Sequence, residues 1–412
     1  MTDNELHFWR HAEKALYELT LSFPVILVTG PRQIGKTTLL QNAKKTDRMP
    51  YVSFDDTAET SAAKADPKAF LSLHQSPVVF DEIQYVPELF PYLKMAADRN
   101  RKKGMYFLTG SQHFHLMKNV SESLAGRVGI LQLMGLSMRE TGGDKFDRAF
   151  IPTEEYLTER KKNARNVGAA EIWKMIYTGS FPAVLSGFSK QKSFYASYIK
   201  TYIERDVRFL TQVGDELAFM QFITVAAART GQMLNYRDMA RDVQISEPTA
   251  KKWLSILITS GLVYLLPPFS MNVEKRVVKT PKLYFLDTGL AAYLTKWTSP
   301  DVLRYGAAAG AYFETFVISE ILKSYYNNGT EPALYYYRDK DAKEIDLLIM
   351  ENGALHPLEI KMTATPKRED VAAFKVLKAV RSLKIGTGGL ICADTTLGIL
   401  DKECYSIPAA YI

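Results

Sequence analysis

Val25-Ile26-Leu27-Val28-Thr29-Gly30-Pro31-Arg32-Gln33-Ile34-Gly35-Lys36-Thr37 runs from a β-rich apolar segment straight into the pattern G-x-x-x-x-G-K-T. With a strand before it and a helix after it, that pattern is a Walker A phosphate loop. Thr37-Thr38-Leu39-Leu40-Gln41 reads as the start of the helix. The residue types answer to the chemistry. Gly30 and Gly35 let the backbone curl so that successive N–H groups point at a β-phosphate, with Pro31, Arg32, Gln33 and Ile34 forming the arch between them. Lys36 reaches the β- and γ-phosphates, the Thr37 hydroxyl ligates Mg²⁺, and Thr38 completes the set at the helix start. The stretch predicts an α/β P-loop core that binds ATP with Mg²⁺.

Outward from the loop, Tyr51 to Asp56 reads as a second strand ending in acids, and Pro77-Val78-Val79-Phe80-Asp81-Glu82 as a third. The latter is a Walker B signature: Asp81 would hold Mg²⁺ through water and Glu82 would polarise the attacking water. A fourth strand, Met105 to Thr109, leads into Gly110-Ser111-Gln112, with Ser111 the candidate for the γ-phosphate or the attacking water. Arg127, in Leu124-Ala125-Gly126-Arg127-Val128, is a candidate cationic finger acting in cis or from a neighbouring subunit. Taken in order, the phosphate loop, residues 78–84, 107–112 and 124–129 resemble the AAA+-type ATPase domain (AAA_14-like) of prokaryotic ATP-binding proteins that carry a C-terminal DUF4143 domain. Gly179-Ser180-Phe181-Pro182, Tyr202-Ile203-Glu204-Arg205-Asp206 and Lys279 to Tyr284 extend the resemblance towards the C-terminal part. It implies a fold and ATP hydrolysis.

The chain has 412 residues, too many for one compact core. The expected divisions are an ATPase core at 1–140, a helical lid or connector at 141–214, a winged helix-turn-helix at 215–283 and a C-terminal α/β domain at 284–412. No apolar run approaches the ~18–20 residues that cross a bilayer, and the first residues lack the basic and apolar regions of a signal peptide. With only Cys392 and Cys404 there is no disulfide framework and no Cys-type zinc site. A cytoplasmic home is expected. The net charge of +7 divides as +2, +4, +3 and −2 over the four segments, so a polyanion partner belongs with the middle of the chain.

That middle begins with a Gly-rich, charged stretch over 141–170 that reads as a partly helical, solvated boundary. From Ser193 to Leu210, Phe194, Tyr198, Ile199, Tyr202, Ile203 and Val207 make an apolar helical stripe. Residues 236–243 then suit a short helix and Gln244-Ile245 a tight turn. Ser246 is an N-cap, with Pro248 in the first turn of a helix running to Thr259. Ala250, Trp253, Leu254 and Leu257 face inward and Lys251, Lys252 and Ser255 outward. Gly261 ends the helix, a strand begins at Leu262, and a hairpin carries Lys275, Arg276 and Lys279. In such a unit the second helix enters the major groove and the wing meets phosphates. Thr249, Lys251 and Lys252, with Lys275 and Arg276 on the wing, are therefore the candidate DNA contacts; a lid or protein-contact role is the alternative.

In the last segment an amphipathic helix opens near Ala311, and strands are expected over 334–338, 344–350 and 355–362. Residues i and i+2 of a strand share a face, so Glu359 and Lys361 point together. With Asp346 on the next strand and Glu314 from the helix, these side chains are a possible nuclease site able to hold Mg²⁺. The set resembles the restriction-endonuclease-like fold, with the departure that Ile345 rather than proline precedes Asp346. A buried ion-pair network is the other reading. The whole implies an ATPase that couples hydrolysis to binding or remodelling of duplex or branched DNA. A homo-oligomer, a ring included, follows from an Arg127 that acts across subunits. The alternatives are an ATP-gated, Mg²⁺-dependent DNA endonuclease and an ATP-dependent regulatory switch of signalling or defence type.

Overall fold

The computed structural model describes residues 8–110, 120, 122–202, 215–270, 280–339, 341, 343–379 and 383–412. Ser111, Lys275 and Arg276 lie outside the described residues. Helices and strands alternate at first: α1 (Ala12–Ser22), β1 (Val25–Thr29), α2 (Lys36–Asn42), β2 (Tyr51–Ser53), α3 (Thr57–Ala65), α4 (Pro67–Leu73), β3 (Val78–Asp81), α5 (Phe90–Asn100), β4 (Tyr106–Gly110) and β5 (Val128–Gln132). The strands form one parallel sheet in the order β2-β3-β4-β1-β5.

β1 is flanked on both sides and all five of its residues are buried, which is why it reads as a continuous apolar run. Val25 and Leu27 join a core with Phe54, Phe80, Phe90 and Leu108, under α3 to α5. Ile26 and Val28 point to the other face, where they meet Ala12, Leu16, Phe107 and Leu131. This second core continues through the middle of the chain to Ile412. One apolar body therefore joins the sheet to everything that follows.

α6 (Met138–Thr141) crosses the division expected at 140/141, started by a reciprocal capping box between Ser137 and Glu140. α7 (Glu154–Asn163), α8 (Ala169–Thr178), α9 (Pro182–Leu185) and α10 (Gln191–Tyr202) follow. The stretch expected to be a solvated boundary is partly interior. Arg160 is only 1% exposed and donates to the carbonyls of Tyr411 (3.2 Å) and Ala410 (3.1 Å) and to Asp144 (2.7 Å). In α10 the side chains of Phe194, Tyr198 and Ile199 are buried, together with Tyr195; Ile203 and Val207 lie outside the described residues.

Next come α11 (Glu216–Ala228), β6 (Gln232–Met233), α12 (Tyr236–Val243), α13 (Glu247–Thr259), β7 (Val263–Leu266) and β8 (Lys282–Phe285). Gln244 takes a left-handed conformation (φ 60°) between α12 and α13, and the Ser246 hydroxyl accepts the Thr249 N–H at 3.2 Å. Ala250, Trp253, Leu254 and Leu257 are buried. The three strands pair antiparallel in the order β6-β8-β7. β8 runs through the division expected at 283/284, with Val263 opposite Phe285.

The remainder holds α14 (Thr288–Leu294), α15 (Pro300–Arg304), α16 (Ala309–Tyr326) and a mixed sheet. Its strands are β9 (Leu334–Arg338), β10 (Glu344–Glu351), β11 (Ala354–Lys361), β12 (Lys384–Ile385), β13 (Gly388–Cys392), β14 (Gly398–Asp401) and β15 (Cys404–Pro408). They lie in the order β14-β15-β13-β11-β10-β9, with β12 beside β11. α16 is not the one-faced helix expected: nearly every residue from Tyr312 to Tyr325 is buried, Glu320 and Lys323 included. Those two pair with each other at 2.7 Å and bind the α6 entry, Glu320 accepting the Met138 N–H (2.7 Å) and Lys323 donating to the Leu136 carbonyl (3.1 Å). Among the described residues no helix is long and apolar enough to cross a membrane.

Candidate active site

The phosphate loop leaves β1 at Gly30, whose φ of +143° suits glycine alone, and a Cβ there would stand 2.1 Å from the Leu133 carbonyl oxygen. Gly35, at φ +90°, caps α2. From behind, Arg10 holds the arch: it donates to the carbonyls of Ile34 (2.8 Å) and Met134 (2.7 Å) and pairs with Glu140 at 2.9 Å, all buried. Lys36 is 6% exposed, and its ammonium donates to the carbonyls of Gly30 (3.1 Å) and Pro31 (2.8 Å). The loop thus holds its lysine at its own centre.

Asp81 ends β3 beside this loop and is 5% exposed. Its Oδ1 accepts the Thr37 hydroxyl at 2.9 Å and the Thr109 hydroxyl; its Oδ2 accepts the Tyr51 hydroxyl at 2.6 Å. Burial first, and then the hydrogen bond to Asp81, push the Tyr51 phenol up, so it remains a donor. Thr109 also accepts the Glu82 N–H at 3.0 Å, so one buried hydroxyl ties both strand-end acids. Glu82 sits in the left-handed region (φ 55°) and its carboxylate accepts from the Gln84 amide. A hydroxyl and a carboxylate 2.9 Å apart are hard oxygen donors of the kind that hold Mg²⁺, so Thr37 and Asp81 fit that ion.

Arg32, Gln33, Lys36, Thr37, Thr38 and Glu82 line an open cleft of about 730 Å³, completed by Pro182, Ala183 and Thr201 from α9 and α10. A second, mainly apolar cleft of about 310 Å³ adjoins it at Gly35 and Thr38, walled by Phe8, Trp9, Leu39 and Pro182. Pro182, at the end of the Gly179–Pro182 stretch, is a wall of both clefts. Behind it, Asp287 accepts the N–H and the hydroxyl of Ser180, each at 2.7 Å.

Thr109 and Tyr51 were passed over in the sequence, where Ser111 took the place of the strand-end polar group. Thr109 comes to Asp81 through the strand register, with Phe80 opposite Leu108, which only the folded sheet reveals. Arg127 does not reach this site in its own chain. β1 and β5 run parallel with Val25 opposite Val128, so Arg127 stands at the sheet end opposite the loop. Five residues of strand, at ~3.3 Å each, separate the two ends by roughly 16 Å. Arg127 is instead held by Asp98 through two bonds of 2.5 and 3.1 Å. A finger in cis is thereby corrected.

On α13, Lys251 and Lys252 are exposed and Thr249 is half-buried. Lys251 pairs with Glu247 at 2.8 Å and lies 5.5 Å from the Tyr236 ring centre. Tyr336 meets the chain on both sides of residues 271–279: its carbonyl accepts the Phe269 N–H (2.6 Å) and its hydroxyl donates to the Thr280 carbonyl.

The four residues of the possible nuclease site do not form a metal cradle. Lys282, reaching over from β8, places its ammonium 3.2 Å from Glu314, 2.6 Å from Glu344 and 3.7 Å from Asp346. The Tyr284 hydroxyl donates to Glu314 at 2.6 Å. Glu359 is buried, and burial together with the Asp346 charge pushes its carboxyl up to about 9. Lys361 turns aside to Asp370 at 3.0 Å. Among the described residues no group of three or more His, Cys, Asp or Glu side chains is disposed to hold a metal. The cluster already has its cation, a lysine from another module.

A central parallel sheet with a glycine-bounded loop after β1 and an acid after β3 defines a P-loop protein of the AAA class. Residues 22–142 match an AAA domain (AAA_14), and residues 169–301 and 309–409 match two domains of unknown function, DUF8612 and DUF4143. Over 349 residues the chain is 31% identical to uncharacterized proteins of Mycobacterium tuberculosis (Rv2008c) and Mycobacterium bovis (Mb2031c), across 83% of this chain and 71% of theirs. The chain belongs to their family, and in it an AAA domain is followed by DUF4143. Among solved structures it is similar to the Walker-type ATPase PABY2304 of Pyrococcus abyssi, with TM-score 0.43, 17% identity, and coverage of 71% of this chain and 97% of that one. It is also similar to the RuvB Holliday junction branch migration motor of Thermotoga maritima, with TM-score 0.29, 17% identity and coverage of 61% and 86%.

Proposed function

We propose that this protein binds ATP with Mg²⁺, hydrolyses it, and couples the cycle to binding or remodelling of DNA through the helix–turn–helix unit. The observation that carries the hydrolytic reading is the 2.9 Å bond from Thr37 to Asp81, which brings the loop hydroxyl and the strand-end carboxylate to one place. In this reading the apolar cleft of Trp9, Leu39 and Pro182 takes the base. Lys36 exchanges its two loop carbonyls for phosphate oxygens, and Glu82, steadied by Gln84 and Thr109, orients the attacking water. Mg²⁺ held by Thr37 and Asp81 neutralises charge on the phosphates.

DNA is assigned to the exposed face of α13, with Thr249, Lys251 and Lys252, and to Lys275 and Arg276 further along the chain. Arg127 acts in this proposal only across a subunit boundary in a homo-oligomer, after leaving Asp98. A second reading, an ATP-dependent switch of signalling or defence type, draws support from the bonds that Tyr336 makes to Phe269 and Thr280.

Phosphate release, with and without duplex, branched and single-stranded DNA at low salt, separates the readings. Turnover lost in Lys36→Ala and stimulated by DNA, with the stimulation and its salt dependence lost in Lys251→Glu/Lys252→Glu, is the expected result. Turnover indifferent to every DNA favours the switch. A wild-type protein that neither binds nor turns over ATP overturns both.

A further inference from the structure

Asp81 carries three hydroxyl partners, and the proposed chemistry uses two of them, Thr37 and Thr109. Thr109 belongs to the adjacent strand and ties Asp81 to Glu82. The third, Tyr51, comes from the first residue of β2, on the edge of the sheet. In register Tyr51 lies opposite Val79 and Ser53 opposite Asp81, so the tyrosine side chain spans two residues along the strands to reach the carboxylate. A valine or leucine at the same place would satisfy the strand equally well. The hydroxyl has a different task.

We infer that Tyr51 is a positioning residue for the magnesium-facing carboxylate of Asp81, and that the oxygen it holds, Oδ2, is the one that receives the metal's water. The inference rests on the ATP–Mg²⁺ reading above. An ionised carboxylate offers about four acceptor directions, two on each oxygen. Both directions of Oδ1 are taken, by Thr37 at 2.9 Å and by Thr109. Oδ2 takes Tyr51 at 2.6 Å and has one direction left. With Asp81 only 5% exposed, solvent has little room to compete for that direction. Without the Tyr51 hydroxyl the carboxylate is pinned at one oxygen alone and turns about it, so the remaining direction is no longer aimed. Groups that orient a metal-binding side chain in this way typically govern about 10–100-fold in metal affinity or activity.

Tyr51→Phe keeps the ring and removes only the hydroxyl, and since Tyr51 is 38% exposed the change leaves no buried cavity. The test is a Mg²⁺ titration of ADP and ATP binding to the full chain, followed by calorimetry, with Mn²⁺ affinity in the presence of ADP read by electron paramagnetic resonance. The expected result for Tyr51→Phe is a roughly tenfold weaker metal dependence, with nucleotide affinity in EDTA and the denaturation midpoint as in wild type. Asp81→Asn marks full loss of the metal effect. An unchanged metal titration in Tyr51→Phe, or an equal loss of affinity with and without metal, overturns the inference while the nucleotide reading stands. A wild-type protein whose nucleotide binding ignores Mg²⁺ overturns the two together, and that outcome is visible before any variant is made.

Discussion

Gly261, at the end of α13, abuts Pro31 of the phosphate loop: a Cβ at Gly261 would stand 2.9 Å from Pro31 Cγ and 3.1 Å from Cδ. The helix that carries Lys251 and Lys252 is thus seated on the loop proposed to hold the nucleotide. A cavity of about 230 Å³ beside this contact, lined by Pro31, Ile34, Leu262 and Tyr264 among others, leaves the loop room to shift. Gly261 is at φ +71°. Gly261→Ala is expected to lose about 1–2 kcal/mol from the left-handed backbone and to weaken nucleotide binding by displacing Pro31. Gly231→Ala is the control: φ is +75° there, and the nearest atom is Ala311 Cβ at 3.3 Å, away from the loop. Denaturation and nucleotide titration of both variants check the prediction, with affinity falling only in the first.

Thr109 bridges Asp81 and Glu82, so its hydroxyl should matter to turnover more than to binding. Thr109→Val keeps the volume and removes the hydroxyl that accepts the Glu82 N–H and donates to Asp81. A fall in kcat of about 10–100-fold is expected, with ATP affinity nearly unchanged. Thr109→Ser restores most of the rate. Steady-state kinetics beside a binding titration measure the split.

Lys282 is the cation for Glu314, Glu344 and Asp346, and it is 4% exposed. Lys282→Met removes the cation shared by these carboxylates and leaves Arg338, 3.8 Å from Glu344, as a remaining counter-charge. Removing one partner of a buried pair typically costs about 3–5 kcal/mol, to be read by urea denaturation at neutral pH. Adding Glu314→Gln should return part of the loss. If the single variant is as stable as wild type, the cluster does not join β8 to the C-terminal sheet.

Glu359 gives this region a pH dependence of defined sign. Its carboxyl is pushed up to about 9 in the folded state by burial and by Asp346, above its ordinary value of 4.5. Between those values the folded chain keeps a proton that the unfolded chain gives up, so this contribution to stability is full below about 4.5 and is lost as pH rises towards 9. One proton corresponds to a slope of at most about 1.4 kcal/mol per pH unit. Denaturation midpoints at pH 6 and pH 8 should therefore differ in wild type and converge in Glu359→Gln.

Much of the site was legible because its signals are contiguous. The strand from Val25, the glycines at 30 and 35, Lys36 with Thr37, and the apolar strand ending at Asp81 each announce themselves within a few residues. The helix–turn–helix segment likewise carries its own turn, its Ser246 cap and its inward face, up to Gly261. Tyr51, Thr109 and Arg10 gave no comparable signal, because a tyrosine at a strand start, a threonine in a buried strand and a lone arginine each suit many structures.

By itself the sequence determined a phosphate loop on a buried strand, a strand-end acid to go with it and the local shape of α12 and α13, since backbone preference and side-chain period are properties of short stretches. Only the tertiary structure decided what those pieces meet. Strand order and register set three hydroxyls on Asp81 and carried Arg127 to the far end of the sheet. The seating of β8 against the C-terminal sheet put Lys282 among the acids where a metal was expected. Contacts between residues far apart in the chain depend on how whole elements pack to bury one shared core, and no short stretch of sequence records that.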